Sequence, residues 1–256
     1  MQAPQNATQY FMGQGMLFVG LKDATTGEPM GLRHVGNCTD LKLSPKTNVI
    51  ELKEAMTGTR GLAKRLTTEV SSSFSATLES LNKDNLAIAL RGAITSKVSG
   101  TVTNEVATAF KGTLLKLAYA GISAVTVKSG DGVTTYVAGT DYIVNDDSIS
   151  IPLTGAIATA DTGTGVGVKV NYSYKAQDII DALVSGELEY WFRFEGLNTA
   201  DTNKSVVVDV FKVAVDVLKE LALIQDKQAE IVLDGSCLLD STRATGSKYF
   251  RVTQVN

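Results

Sequence analysis

This chain has almost none of the residues from which metal centres and acid–base sites are usually built. One histidine and two cysteines occur in 256 residues. Zinc needs three or four ligands. His34 and Cys38 stand at a ligand-like spacing, but no second histidine exists and nothing in the sequence brings Cys237 to them. A Ser/His/Asp triad would have to take His34 as its base, and no GxSxG sequence supplies a nucleophile elbow. His34 therefore reads as a packed or surface imidazole. The two cysteines lie far apart and make no disulfide framework; they read as half-buried thiols in a reducing compartment. The glycine-rich run TGTGVG, Thr162 to Gly167, lacks the GK[ST] of a phosphate loop and has no following helix to offer its N-terminus. It reads as a flexible connection. Asp131, Asp146 and Asp147 sit in turns without the alternating oxygens and closing glutamate of a calcium loop, and Asp141 reads as a turn residue. The expectation is no catalytic residue, no cofactor and no metal: not an enzyme.

Long apolar runs are missing as well, so no window is suited to spanning a bilayer as a helix. The opening MQAPQNATQYF has no basic n-region, and a cytosolic site of synthesis is expected. Lys and Arg total 24 against 27 Asp and Glu, a net charge of −3. The densest cationic cluster is Arg60, Lys64 and Arg65, too sparse for a DNA-gripping patch and more consistent with a solvated face or a protein contact.

What is present is β-structure. Prolines number only four, and Val, Thr, Ser and Gly recur in short alternating runs. From Leu66 to Leu78 the even positions include Leu66, Val70, Phe74, Ala76 and Leu78, while Thr67, Glu69, Ser71, Ser73, Ser75 and Thr77 take the odd ones. This period of two predicts a strand with one face on a core and a hydroxyl-rich face in water. A short helix is expected next, capped by Asn82, with Arg91 in its last turn and Gly92 as its stop. Upstream, Val49 to Met56 predicts a strand, and Met56 to Arg65 (MTGTRGLAKR) a projecting loop. Further strands are expected at Met16–Leu21, Leu32–Val35 and Thr39–Ser44, the last ended by Pro45. Ile122 to Tyr174 predicts a separate β meander. Ala176–Ser185 predicts a short helix, Glu187–Gly196 a strand holding the sole tryptophan, and Ser205 to about Val215 a strand followed by a helical turn. Glu230–Leu233 and Tyr249–Val255 close the set. Residues 1–14 read as a polar arm.

The blocks GQGMLFVGL (Gly13–Leu21), VGNCTDLKLS (Val35–Ser44), the whole stretch Val49–Gly92, KELALIQD (Lys219–Asp226) and GSKYFRV (Gly246–Val252) resemble, in their order and spacing, the major tail protein family of tailed bacteriophages. The resemblance covers most of the chain outside a middle segment. It implies a mainly β fold with one or two short helices: a β-sandwich or rolled sheet flanked by an α-helix, formed by residues 1–118 and 176–256, with an inserted small β unit at 119–175 that faces outward. It further implies a structural virion protein, made in the host cytoplasm, whose copies form stacked hexameric rings, the tail tube through which DNA is ejected. Its partners would be copies of itself, tape-measure, tail-tip and tail-terminator proteins, and double-stranded DNA that passes without sticking; no membrane partner is implied. Carried onto this sequence, the inter-subunit interface falls on Gln14, Gly15, Met56, Gly58, Arg60, Gly61, Lys64, Arg65 and Phe250. The lumen face falls on Thr67, Glu69, Ser71, Ser73, Ser75 and Thr77, where hydroxyls and acid avoid the phosphate contacts that make DNA stick. Two other readings stand beside this one: a carbohydrate- or protein-binding module using Trp191 and the tyrosines, and a secretion tube of related architecture.

Overall fold

The computed structural model describes residues 10–255 apart from Thr57, Asp201 and Thr202. The first nine residues of the expected arm fall outside that set. The chain opens with strands β1 (Gly13–Lys22), β2 (Pro29–His34), β3 (Cys38–Lys53) and β4 (Leu62–Leu78), then helix α1 (Lys83–Ala89) and strand β5 (Ala93–Lys97). A middle section follows: β6 (Gly100–Ala109), β7 (Leu114–Leu115), β8 (Ile122–Ser129), β9 (Ile143–Val144), β10 (Ile149–Ser150), α2 (Ala156–Ala160), β11 (Val166–Tyr174) and β12 (Gln177–Asp181). The chain ends on β13 (Glu189–Asn198), β14 (Lys204–Val215), β15 (Ile231–Cys237) and β16 (Phe250–Gln254). Among the described residues the fold is mainly β with two short helices, and the alternating pattern predicts the strand-rich class.

Two compact units result: residues 1–94 with 180–256, and residues 95–179. In the first, one sheet runs β2-β1-β13-β14-β15-β4-β3, with β16 alongside β14. Strands β4 and β13 are separated by two others, so on a flat sheet they would lie about 14 Å apart. Yet Phe74 of β4 and Phe192 of β13 stack with ring centroids 4.2 Å apart. The sheet must therefore roll over on itself. Leu17, Leu78, Phe192, Val213 and Leu233 share the enclosed core with Ile88 and Ala89 of α1. Residues paired at Gly15 and Gly196 let β1 and β13 approach closely: a Cβ on Gly15 would fall 2.3 Å from the Glu195 carbonyl oxygen.

The second unit holds two three-stranded sheets, β6-β11-β8 and β7-β10-β9, over a core of its own that includes Ile149, Ile157, Val168 and Tyr172. It is wider than the segment 119–175. Strand β6 is the reason: it pairs with β11 from Ala109↔Val166 to Gly100↔Tyr174, so residues ahead of 119 supply one of that sheet's three strands.

Helix α1 follows the sequence at its start, where the Asn82 side chain accepts from the Asn85 N–H at 2.8 Å. Its end differs. Gly92 N donates to Ala87 O and Arg91 N to Ile88 O, the paired bonds of a Schellman motif. The left-handed residue is then Arg91, φ 47°, not Gly92. The guanidinium is tied by a 3.0 Å bond to Val215 O. Three further expectations are corrected. Pro45 does not end its strand: β3 runs through it, because β3 is the last strand of the sheet and its outer edge needs no donor. Ala176–Ser185 is not a helix: β12 pairs with β5, a non-local partner that suits the adjacent β-branched Ile179 and Ile180. No helical turn follows β14; residues 216–230 carry neither helix nor strand.

Candidate assembly surface

Strands β3 and β4 pair over their full length, from Cys38↔Leu78 to Lys53↔Leu62. Only the half nearest α1 meets the core: Phe74, Ala76 and Leu78 are buried. From Pro45 to Val70 every described residue is exposed except the half-exposed Val49 and Glu54. At the usual rise per residue, this two-stranded arm extends about 30 Å beyond the body. Its tip is organised by Glu54, whose N–H donates to Gly61 O at 2.8 Å and whose carboxylate accepts from Met56 N and the Thr59 hydroxyl.

The arm does not keep one hydrophobic parity. Asn48 faces Glu69 but Val49 faces Thr67, so Thr68 is an extra residue, a β-bulge. The Thr68 hydroxyl donates to Asn48 O at 3.1 Å. Beyond the bulge the faces exchange. Leu66, paired with Ile50, moves to the side of Ser71 and Ser73, and Thr67 leaves it. The single even-numbered apolar face expected from Leu66 to Leu78 thus holds only up to Val70, and Thr67 does not share a face with Ser71, Ser73, Ser75 and Thr77. Ile50, Leu52 and Leu66 make an exposed apolar strip on the arm, beside the exposed cations Lys64 and Arg65.

The hydroxyl face also has neighbours that one strand cannot reveal. Lys42 and Lys46 on β3 stand opposite Ser75 and Ser71. Lys42 is paired with Asp40, and Glu69 accepts from the Asn48 amide at 2.7 Å. On the other flank, the Ser75 hydroxyl donates to Asp234 at 2.8 Å, and Lys219 bridges to the same carboxylate at 2.8 Å. These bonds hold Asp234 below the usual carboxylate range. The face is mixed in charge, with hydroxyls at its centre.

The other expected interface residues divide. Met56, Gly58, Arg60 and Gly61 form the exposed arm tip; Thr57 between them lies outside the described residues. Gln14 and Gly15 line a groove of about 820 Å³ with Leu17, Leu41, Phe194 and Val208. Among the described residues β1 has no second neighbour there, because β2 pairs only from Phe18 onward. Phe250 is half-buried against the main core, a packing residue, while Arg251 to Gln254 are exposed.

The residues set aside on sequence grounds have structural partners. His34 Nδ1 accepts from Gly36 N at 3.2 Å, and Cys38 Sγ donates to Asp40 O. Trp191 is buried edge-on to Phe211, with centroids 5.1 Å apart. The glycine run is not a flexible connection: the buried Asp161 carboxylate accepts the N–H groups of Lys111, Gly163 and Gly165 at 2.8–3.0 Å. Among the described residues, no group of three or more His, Cys, Asp or Glu is placed to hold a metal, and no helix is long and apolar enough to cross a membrane.

Two features escaped the sequence. Asn85, fully buried, donates to Val35 O and Ser80 O and accepts from Arg33, tying α1 to the end of β2. Lys22 and Asp240 form a buried ion pair at 2.6 Å. Neither is signalled locally, because Arg33 and Val35 lie about 50 residues from Asn85, and Asp240 lies 218 from Lys22. Compared with known families, residues 10–253 match one described as Protein of unknown function UCP028589. No curated protein matches the chain.

Proposed function

We propose that this chain, which belongs to the family described as Protein of unknown function UCP028589, is a self-assembling structural subunit that closes into rings and stacks into a tube. The carrying observation is the β3–β4 arm: about 30 Å of hairpin with an apolar strip and cations, left exposed by its own chain. An isolated two-stranded ribbon is marginal in water, and exposed strand edges invite aggregation unless a partner pairs them. A second copy supplies both needs, and a head-to-tail contact repeated around an axis closes a ring. The outer edge of β3 and the exposed strand β16 suit such pairing. The resemblance to bacteriophage major tail proteins gives the assembly its role: hexameric rings forming a virion tail tube that conducts DNA, made in the host cytoplasm and joined by tape-measure, tail-tip and terminator proteins. No step of this role makes or breaks a covalent bond. Ser71, Ser73, Ser75 and Thr77, with Glu69, are the lumen candidates. The buried position of Trp191 removes one of the rings on which the carbohydrate-binding reading relies.

The test is electron microscopy of the purified protein over a range of concentrations, with rings or tubes expected. A chain that remains monomeric throughout refutes assembly. The bore is tested with Ser71→Lys/Ser73→Lys tubes. Added lysines facing DNA introduce salt-dependent phosphate contacts, so these tubes should retain double-stranded DNA at low salt and release it at high salt. Retention equal to the unsubstituted tube removes those positions from the bore.

A further inference from the structure

Within the first unit lies an open cavity of about 600 Å³, separate from the arm. Leu21, Leu32, Ile88 and Leu188 give it apolar walls, and Arg33 and Arg91 line it too. Arg33 is incompletely satisfied: Nη1 donates to Asn85 at 2.9 Å, but the buried Nη2 has no hydrogen-bond partner among the described residues. Burial works against its charge, and the nearby Asp84, also on the cavity wall, only partly restores it. A buried guanidinium nitrogen without an acceptor is costly, and a further carboxylate at the cavity wall would favour the charge that burial opposes.

The same body carries a shape of opposite character. Residues 216–230 join β14 to β15 without regular structure. This strap leaves from the cavity rim: Val215 lines the cavity, and Leu218 N donates to Ala89 O at the end of α1. After Lys219 is fastened to Asp234, the strap exposes two adjacent large apolar side chains, Leu223 at 80% and Ile224 at 99%. The exposed Asp226 follows two residues later. The same unit thus carries an uncovered apolar knob with a carboxylate and an open apolar cavity lined by an incompletely satisfied arginine.

We infer that the strap of one copy docks in the cavity of the next, Leu223 and Ile224 filling the apolar walls and Asp226 meeting Arg33. This rests on the self-assembly reading and gives it a second contact, distinct from the arm. Each subunit offers one knob and one hole that its own chain leaves unmatched, so the contact is heterologous and propagates from copy to copy.

Two experiments test it. In the first, chains carrying Ile224→Cys are mixed with chains carrying Leu32→Cys, both in a Cys38→Ser background, during assembly and under mild oxidation. A disulfide-linked heterodimer is expected. Its absence from mixtures that assemble normally overturns the docking and leaves the assembly reading intact. A disulfide that forms only when both cysteines share one chain, giving no dimer, assigns the strap to its own cavity and also overturns it. In the second, Leu223→Asp/Ile224→Asp should raise the concentration needed for assembly at least about tenfold, equivalent to about 1.4 kcal/mol. Asp226→Arg should raise it less. Unchanged assembly by the strap variants, whose substituted residues are exposed and so not needed for folding, refutes the docking. A protein that never assembles, substituted or not, refutes the assembly reading and this inference together.

Discussion

Substituting Ile50 and Leu66 by threonine separates assembly from folding. The two residues face each other across the arm and are 53% and 40% exposed. Threonine is β-branched and suits a strand at both positions, and neither residue belongs to the enclosed core. Monomer stability should therefore fall by less than about 1 kcal/mol. The value of these side chains lies in the area still open to a neighbour. Full burial of such a residue is worth about 1.5–3 kcal/mol, so covering the exposed half of each contributes about 0.7–1.5 kcal/mol. Together that is about 1.5–3 kcal/mol, or roughly 10- to 150-fold in association. Sedimentation velocity across a concentration series reads the association shift, and urea denaturation of the dilute monomer reads the stability. If assembly is unchanged, the apolar strip is not an interface. If instead the monomer loses several kcal/mol while association follows passively, the arm belongs to the fold and its exposure has been misread.

Two further outcomes concern stability. Lys22 and Asp240 have side chains 3% and 1% exposed. Burial raises the Asp240 pKa, but Lys22 and Thr242 more than offset this and hold it below the usual carboxylate range. Asp240→Ala strands Lys22 beside Trp191 and should cost about 3–5 kcal/mol in urea denaturation, whereas Lys22→Met/Asp240→Leu should be far closer to the parent; equal losses from both would deny that the pair is the cause. Asp161 is depressed chiefly by its backbone hydrogen bonds, so its stabilising contribution is fully present above the unfolded value of about 3.9 and is lost as pH falls through the folded value. Asp161→Asn places an amide N–H₂ against at least one backbone donor; it should lower the melting temperature at pH 7, with the gap closing on acidification below about pH 4, and a gap independent of pH would refute the assignment.

The sequence alone determined the strand-rich class, because a period of two in Ser71–Leu78 and Val166–Tyr174 leaves only one geometry that separates core from water. It also determined the start of α1, since an asparagine before a helical run satisfies a free N–H locally. Where the deciding partner is far along the chain, local pattern was silent or misleading. The bulge at Thr68 exists only because β3 fixes the register of β4, and it moves Leu66 and Thr67 to exchanged faces. Pro45 is tolerated because the sheet ends at β3, and the order of strands is not a local property. Ile179 and Ile180 fit a helix until β5 is placed beside them. The Lys22–Asp240 pair, the orphaned nitrogen of Arg33 and the rolling of the sheet that stacks Phe74 on Phe192 are likewise decided in three dimensions. Burial is a property of what surrounds a residue, and only the folded chain supplies the surroundings.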